Sequence, residues 1–120
     1  MGRTIDAEAW LPLKPVVFHI LLALAEGDSH GYGVIRSVRE GSEGRIHLET
    51  GPFYRHLRKL MDDGLVGESH SRPAGDDPRR GAYYRLTAAG RAVLAAESRR
   101  LAGLVATTRT LGLLSERRSS

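Results

Sequence analysis

A mostly helical chain with one small β-hairpin, closed by a long C-terminal helix, is the fold class that these 120 residues predict. Three observations carry it. Apolar residues recur at helical spacing in three separate blocks before Gly64. Two short β-prone runs, Leu65 to Ser71 and Ala82 to Leu86, flank a loop rich in Pro, Gly, Asp and Arg. From Thr87 onward the chain is alanine-rich and free of proline.

Residues 1–14 read as an arm, with Trp10, Leu11 and Leu13 set among polar residues and beside Pro12 and Pro15. Its aromatic end is expected to dock, either on its own domain or on a partner. Pro15 suits the first turn of a helix to about Glu26, with Val17, Ile20, Leu21 and Leu24 facing inward. Phe18 and Leu22 make that helix apolar nearly all round, so it should be buried on more than one side. Gly27-Asp28-Ser29 breaks it. A second helix, roughly His30 to Glu40, places Val34, Ile35 and Val38 inward and Tyr32, Arg36 and Arg39 on another face. Arg45 to Leu48 alternates polar and apolar, which predicts a short half-buried strand.

The third helix, Thr50 to the left-handed stop expected at Gly64, organises the rest. Phe53, Leu57, Leu60 and Met61 form one stripe, and Gly51, Tyr54, Arg55 and Arg58 share the opposite side, with Lys59 and His56 on its flanks. Thr50 is the expected N-cap, and Pro52 is tolerated in a first turn. A short helix with an apolar back, a Tyr/Arg front and a bare end at Gly51 suits a major groove, where Arg reads guanine edges or phosphates. The same pattern also describes an ordinary amphipathic surface helix with solvated charges.

The hairpin that follows would carry Arg72, Arg79 and Arg80 near its tip, beside Asp76 and Asp77. Helix, helix, strand, helix and hairpin in that order make a winged helix-turn-helix over residues 15–86, with the third helix in the recognition position.

Residues 87–114 are expected to form one helix capped by Thr87, roughly 40 Å long at 1.5 Å per residue, before a short tail, 115–120. Leu94, Leu101 and Thr108 repeat at one heptad position, and Glu97, Leu104 and Leu111 at another. Such a helix overhangs a domain this small. Leu94, Leu101, Leu104, Val105 and Leu111 are therefore expected to pair with a second chain, with Trp10 and Leu11 against the partner's helix; folding back on its own domain is the alternative.

Composition narrows the function. The chain is 41% hydrophobic and 27% charged, which is globular rather than disordered. It has no cysteine, and its five histidines show no paired ligand spacing, so neither a disulfide nor a metal site is expected. The longest apolar run, Val16 to Ala25, is too short to span a bilayer and no secretory signal is visible, so a cytoplasmic location with no membrane partner is expected. The net charge is +4, and its distribution is uneven: residues 1–49 hold five basic and seven acidic side chains, residues 50–87 seven and five, residues 88–120 six and two. Positive charge thus lies in the third helix and beyond, which favours an anionic partner. No nucleophile–base constellation, phosphate loop or paired-carboxylate spacing stands out, so neither catalysis nor a cofactor is expected.

Three blocks resemble PadR-family transcriptional regulators: L-A-L-A-E-G-D-S-H-G-Y-G-V-I-R-S-V from Leu22, L-x-x-G-x-x-Y-R-x-L-R-K-L-x-x-x-G-L-V from Leu48 to Val66, and Y-Y-R-L-T-A-A-G-R-A-V-L from Tyr83. The resemblance runs over roughly residues 13–97. It implies a cytoplasmic repressor that binds double-stranded DNA as a homodimer on a pseudo-palindromic operator, in a short form with one C-terminal dimerisation helix. It also implies release by a small aromatic or hydrophobic effector, for which a place between the subunits is expected. By position, Tyr54 falls on the family's recognition-helix tyrosine, Gly51 on the glycine before it, and His30-Gly31-Tyr32 on its H-G-Y. The chain departs from the common S-P-G-T pattern, reading Glu49-Thr50-Gly51-Pro52. The expected DNA contacts are Thr50, Gly51, Tyr54, Arg55, Arg58, Lys59, Tyr32, Arg79 and Arg80. The rival reading is a winged helix used for protein–protein interaction without specific DNA binding.

Overall fold

The computed structural model describes residues 6–71, 75–77, 79 and 81–114. Arg72 and Arg80 of the expected wing tip, and the expected tail, lie outside them. A 3₁₀ turn, Ala7–Trp10, leads into α1 (Pro15–Ala25), β1 (Ser29–His30), α2 (Gly31–Gly41), α3 (Thr50–Asp62), β2 (Val66–Ser69), β3 (Tyr83–Leu86) and α4 (Ala88–Thr110). This is the winged helix-turn-helix with a long terminal helix that the residue pattern predicts.

The core forms where the helical stripes converge. Ile20, Leu21 and Leu24 of α1 meet Val34 and Val38 of α2, Phe53, Leu57 and Leu60 of α3, Leu65, and Val93 and Leu94 of α4. Met61, expected in the α3 stripe, lies at the surface instead. Leu65, just past the helix, is fully buried in the core. Gly64 turns the chain there at φ +79°, and the Leu65 amide donates back to the Leu60 carbonyl at 2.9 Å.

Thr87 ties the wing to this junction. Its hydroxyl donates to the Gly64 carbonyl at 2.7 Å and accepts from the Gly90 amide at 3.0 Å, so one side chain closes α3 and caps α4. Gly90 presses its backbone onto the Leu65 carbonyl; a Cβ there would collide with main chain. The α4 helix is thus packed tightly where it starts.

Three sequence expectations are corrected. The first concerns Arg45 to Leu48, which form no strand. The three-stranded antiparallel sheet has the order β1-β3-β2, so β3 is paired on both sides, with Ser29 opposite Tyr84 and Glu68 opposite the same residue. The polar–apolar alternation at 45–48 reflects Ile46 and Leu48 half-buried against the core while Ser42 Oγ accepts the Ile46 amide at 3.0 Å. The second strand partner is instead Ser29–His30, within the stretch expected to break α1 and begin α2.

The second correction concerns Thr50. The N-cap of α3 is Glu49, without a side-chain bond, and Thr50 is the first helical residue. From an N-cap at position 50 the hydroxyl would seek the amides of Pro52, which has none, and Phe53, which already donates to the Glu49 carbonyl at 3.0 Å. The third concerns the end of α4. Gly112, at φ +78°, stops the helix at Thr110, with the Leu113 amide returning to the Thr108 carbonyl at 2.9 Å. Leu111 is therefore the C-cap rather than an interior residue.

Candidate nucleic-acid interface

Burial of Phe53, Leu57 and Leu60 fixes the rotation of α3 and turns its other side outward. Gly51, Tyr54, Arg55, Arg58 and Lys59, five of the sequence-predicted contacts, line one open groove together with Asp62. At the head of that groove no side chain caps the helix, so backbone N–H groups of the first turn point outward beside a position without a Cβ. Positive helix-end potential and mobile guanidinium groups share one surface, which is the combination that holds an oxyanion such as phosphate.

Tyr54 does more than face outward. Its ring meets Phe53 edge-on at 4.8 Å, and its hydroxyl lies over Gly31, where an added Cβ would stand 2.5 Å from Oη. Gly31 is needed at the start of α2 so that the α3 tyrosine can settle there. The angle between the two helices thus rests partly on a residue that remains 44% exposed.

A second polar recess adjoins the first. His30, Tyr32, Gly33, Arg36, Tyr54 and Arg79 line it, bringing together the start of α2, the recognition helix and the wing. His30 caps α2 by accepting the Gly33 amide on Nδ1 at 3.1 Å, and its ring stands against Tyr83 of β3 at 5.3 Å. Tyr32 is exposed, with the Arg36 guanidinium over its ring at 5.3 Å. Sequence reasoning placed Arg36 on the outer face of α2 but did not count it in the site; the i, i+4 spacing to Tyr32 was the available signal.

The cations differ in freedom. Lys59 Nζ lies 3.0 Å from Asp63, one turn on, and Arg79 lies 3.0 Å from Asp77 within the wing. Arg55 and Arg58 have no ion pair among the described residues. Burial, Lys14 and Arg55, in that order, hold His56 below the usual histidine value, which favours its neutral form beside these cations. Thr50 sits at the helix start, outside the groove lining.

The expected pairing surface divides in two. Leu94 is buried in the chain's own core, and Glu97 beside it is 1% exposed, its carboxylate accepting from Arg100 Nε at 2.6 Å and from the Leu13 amide at 3.0 Å. The arm therefore docks on its own chain, with Trp10 and Leu11 packed against the core. Leu101 is half-buried, whereas Leu104, Val105 and Leu111 stand open.

A two-helix turn with a cationic third helix, flanked by a β-wing, defines a winged-helix protein of the nucleic-acid-binding class. The chain belongs to the PadR-like family of transcriptional regulators, whose family model matches residues 20–96. Solved structures agree on the fold. A PadR family transcription regulator from Clostridium difficile R20291 superposes with TM-score 0.66 at 21% identity, over 82% of this chain and 98% of that one. A PadR-like transcription factor from Bacteroides fragilis gives 0.63 at 22% identity, over 80% and 88%. A Streptococcus mutans protein gives 0.60 at 19% identity and spans 98% of this chain and 100% of its own. Among curated proteins no relative matches. No helix of the described residues is long and apolar enough to cross a membrane.

Proposed function

We propose that this protein is a sequence-specific, DNA-binding repressor that acts in the cytoplasm as a homodimer on a pseudo-palindromic operator and is released by a small effector. The observation that carries the reading is the α3 face. Gly51, Tyr54, Arg55, Arg58 and Lys59 stand together on the outward side of a helix whose opposite side is locked in the core, and its N-terminus is uncapped by any side chain. In this reading Arg55 and Arg58 read base edges, and the first-turn amides with Thr50 hold a phosphate. Tyr54 sets the helix against α2 and presents its ring edge to the groove. Tyr32 with Arg36, and Arg79 from the wing, contact backbone on either side. Arg80 is assigned to the same wing contact on its position in the sequence alone.

One recognition helix makes few base contacts, so specificity needs two, spaced about one helical turn or ~34–36 Å apart. The open apolar residues at the far end of α4, Leu104, Val105 and Leu111, support pairing there, with Leu101 at the margin. Selection from random duplex DNA tests the reading. It should return a two-fold sequence with half-sites about 10 base pairs apart. Enrichment of no sequence would contradict specific recognition and leave the protein-interaction reading in its place.

A further inference from the structure

The α4 helix has a second open side that the apolar stripe does not occupy. Arg91, Arg99 and Arg109 stand exposed along it, within about 80° of one another at ~100° per residue. Leu104 and Leu111 lie across the helix, about 120° or more away. Ala95, Ala102, Gly103 and Ala106 fill the space between and beside the arginines; all are exposed, and a Cβ added at Gly103 would meet nothing. We infer that this side of α4 is a sequence-independent docking surface for duplex DNA, which holds a second stretch of duplex while the α3 face holds the first.

Charge complementarity carries the assignment. Glu97 is the single carboxylate of α4, and it is buried and held by Arg100 at 2.6 Å, so it does not offset the outer arginines. The side chains of Arg91 and Arg99 have no hydrogen bond or ion pair among the described residues. From Arg91 to Arg109 the row is roughly 27 Å long at 1.5 Å per residue, and a duplex offers a phosphate every ~3.4 Å of axis on each strand. The planar guanidinium suits phosphate, which it can hold by two parallel hydrogen bonds. The small residues of this side choose between polyanions. A protein partner needs a large aromatic or apolar anchor seated in a pocket, and only alanine, glycine and threonine stand between these cations. A phosphodiester backbone needs positive charge and close approach, and small side chains permit both.

The two surfaces are separate. No residue lining the α3 groove comes from α4, so one duplex on each can be held at once. Pairing through Leu104 and Leu111 would leave the arginines turned outward on both copies. The bridging of two duplexes rests on the DNA-binding reading above; the affinity of the α4 side for duplex does not.

A selected duplex is fixed to beads, saturated with the intact chain, washed, and then offered a fluorescent duplex of unrelated sequence at about 50 mM salt. Wild type should retain the second duplex and release it as salt rises to about 200 mM. Arg91→Gln with Arg99→Gln should retain at least about tenfold less, because each lost phosphate contact takes about one unit from the slope of log K against log salt. Both residues are exposed, so this variant should keep the wild-type urea midpoint and bind the selected duplex within about twofold of wild type. No retention by wild type, or equal retention by the variant, would overturn the surface. Displacement of the second duplex by poly-L-glutamate as readily as by unlabelled duplex would overturn it too, and would assign this side to an acidic protein. If no sequence is selected, wild type and variant are compared on the unrelated duplex in solution by anisotropy. Weaker binding by the variant would then leave the α4 surface standing and remove only the α3 reading; equal binding would overturn both.

Discussion

The α3 and α4 helices each bury one side in the same core and leave another side open, yet the open sides are chemically opposite. On α3 the open groove is lined by Gly51, Tyr54, Arg55, Arg58 and Lys59, with Asp62, and its rotation is fixed by Phe53, Leu57 and Leu60. On α4 the large apolar residues left open are Leu104 and Val105, with Leu111 at the C-cap, all beyond the last buried residue, Glu97. A cationic open face keeps its solvation until an anion replaces water, so it can remain uncovered in the free protein. An apolar open face is in contact with water at a continuing cost of about 25 cal/mol per Å², so it favours a partner of its own kind. One fold thus presents two open faces of different chemistry, which the proposed function assigns to DNA contact on α3 and to pairing on α4.

The largest expected effect comes from giving the α4 face the chemistry of a solvated surface. Leu101→Glu with Leu104→Glu should yield monomers at micromolar concentration by light scattering. Preference for a palindromic duplex should fall by about 10³-fold or more, toward non-specific binding. A dimeric double variant would break the comparison.

The next effect separates the two halves of α4. Leu94→Ala should cost about 2–5 kcal/mol in urea unfolding, because it empties a place in the core. Leu104→Ala should shift monomer stability by no more than about 0.5 kcal/mol. The heptad repeat does not distinguish these leucines, which is why Leu94 was expected in the pairing surface and is found in the core. Their difference is one of tertiary placement: Gly90 seats the start of α4 on Leu65, and burial along the helix ends at Glu97.

The same distinction explains what was legible elsewhere. Gly64 and Thr87 act through neighbours or through the positive φ that only a few residues tolerate, so their roles could be read from the chain. Ser29–His30 forms a strand only because β3 arrives beside it, more than fifty residues on, and nothing local announces it. Arg45 to Leu48 has the alternation without the partner. On α3 the face was readable from periodicity; the second task of Tyr54, against Gly31, was not, because it depends on the crossing of two helices. Glu97 reads as a member of the heptad series with Leu104 and Leu111 and proves to be a buried clamp on the arm.

Glu97 marks the boundary between the two halves of α4 and gives a smaller, pH-dependent effect. The Arg100 hydrogen bond is the largest influence; burial opposes it, and the Leu13 amide and the Arg100 charge assist it. Together they hold the carboxyl below its ordinary value of 4.5. A depressed folded-state pKa means that the contribution is complete above the unfolded value and is lost as pH falls through the folded one. Glu97→Gln should cost about 1–2 kcal/mol at neutral pH and then lose less stability than wild type on acidification below about pH 4.5. Parallel acid limbs for the two proteins would mean that the arm clamp is not held by charge.

The most direct test of the central claim is a fluorescence-anisotropy titration of a selected duplex over a range of salt, with wild type and an Arg55→Ala, Arg58→Ala variant. If the α3 face reads DNA, wild-type affinity falls steeply with salt. The double variant should then bind about 2–6 kcal/mol more weakly, with discrimination relaxed at the base pairs those arginines touch. Undiminished binding by the double variant, with the same salt slope, would contradict the assignment of α3 as the reading helix.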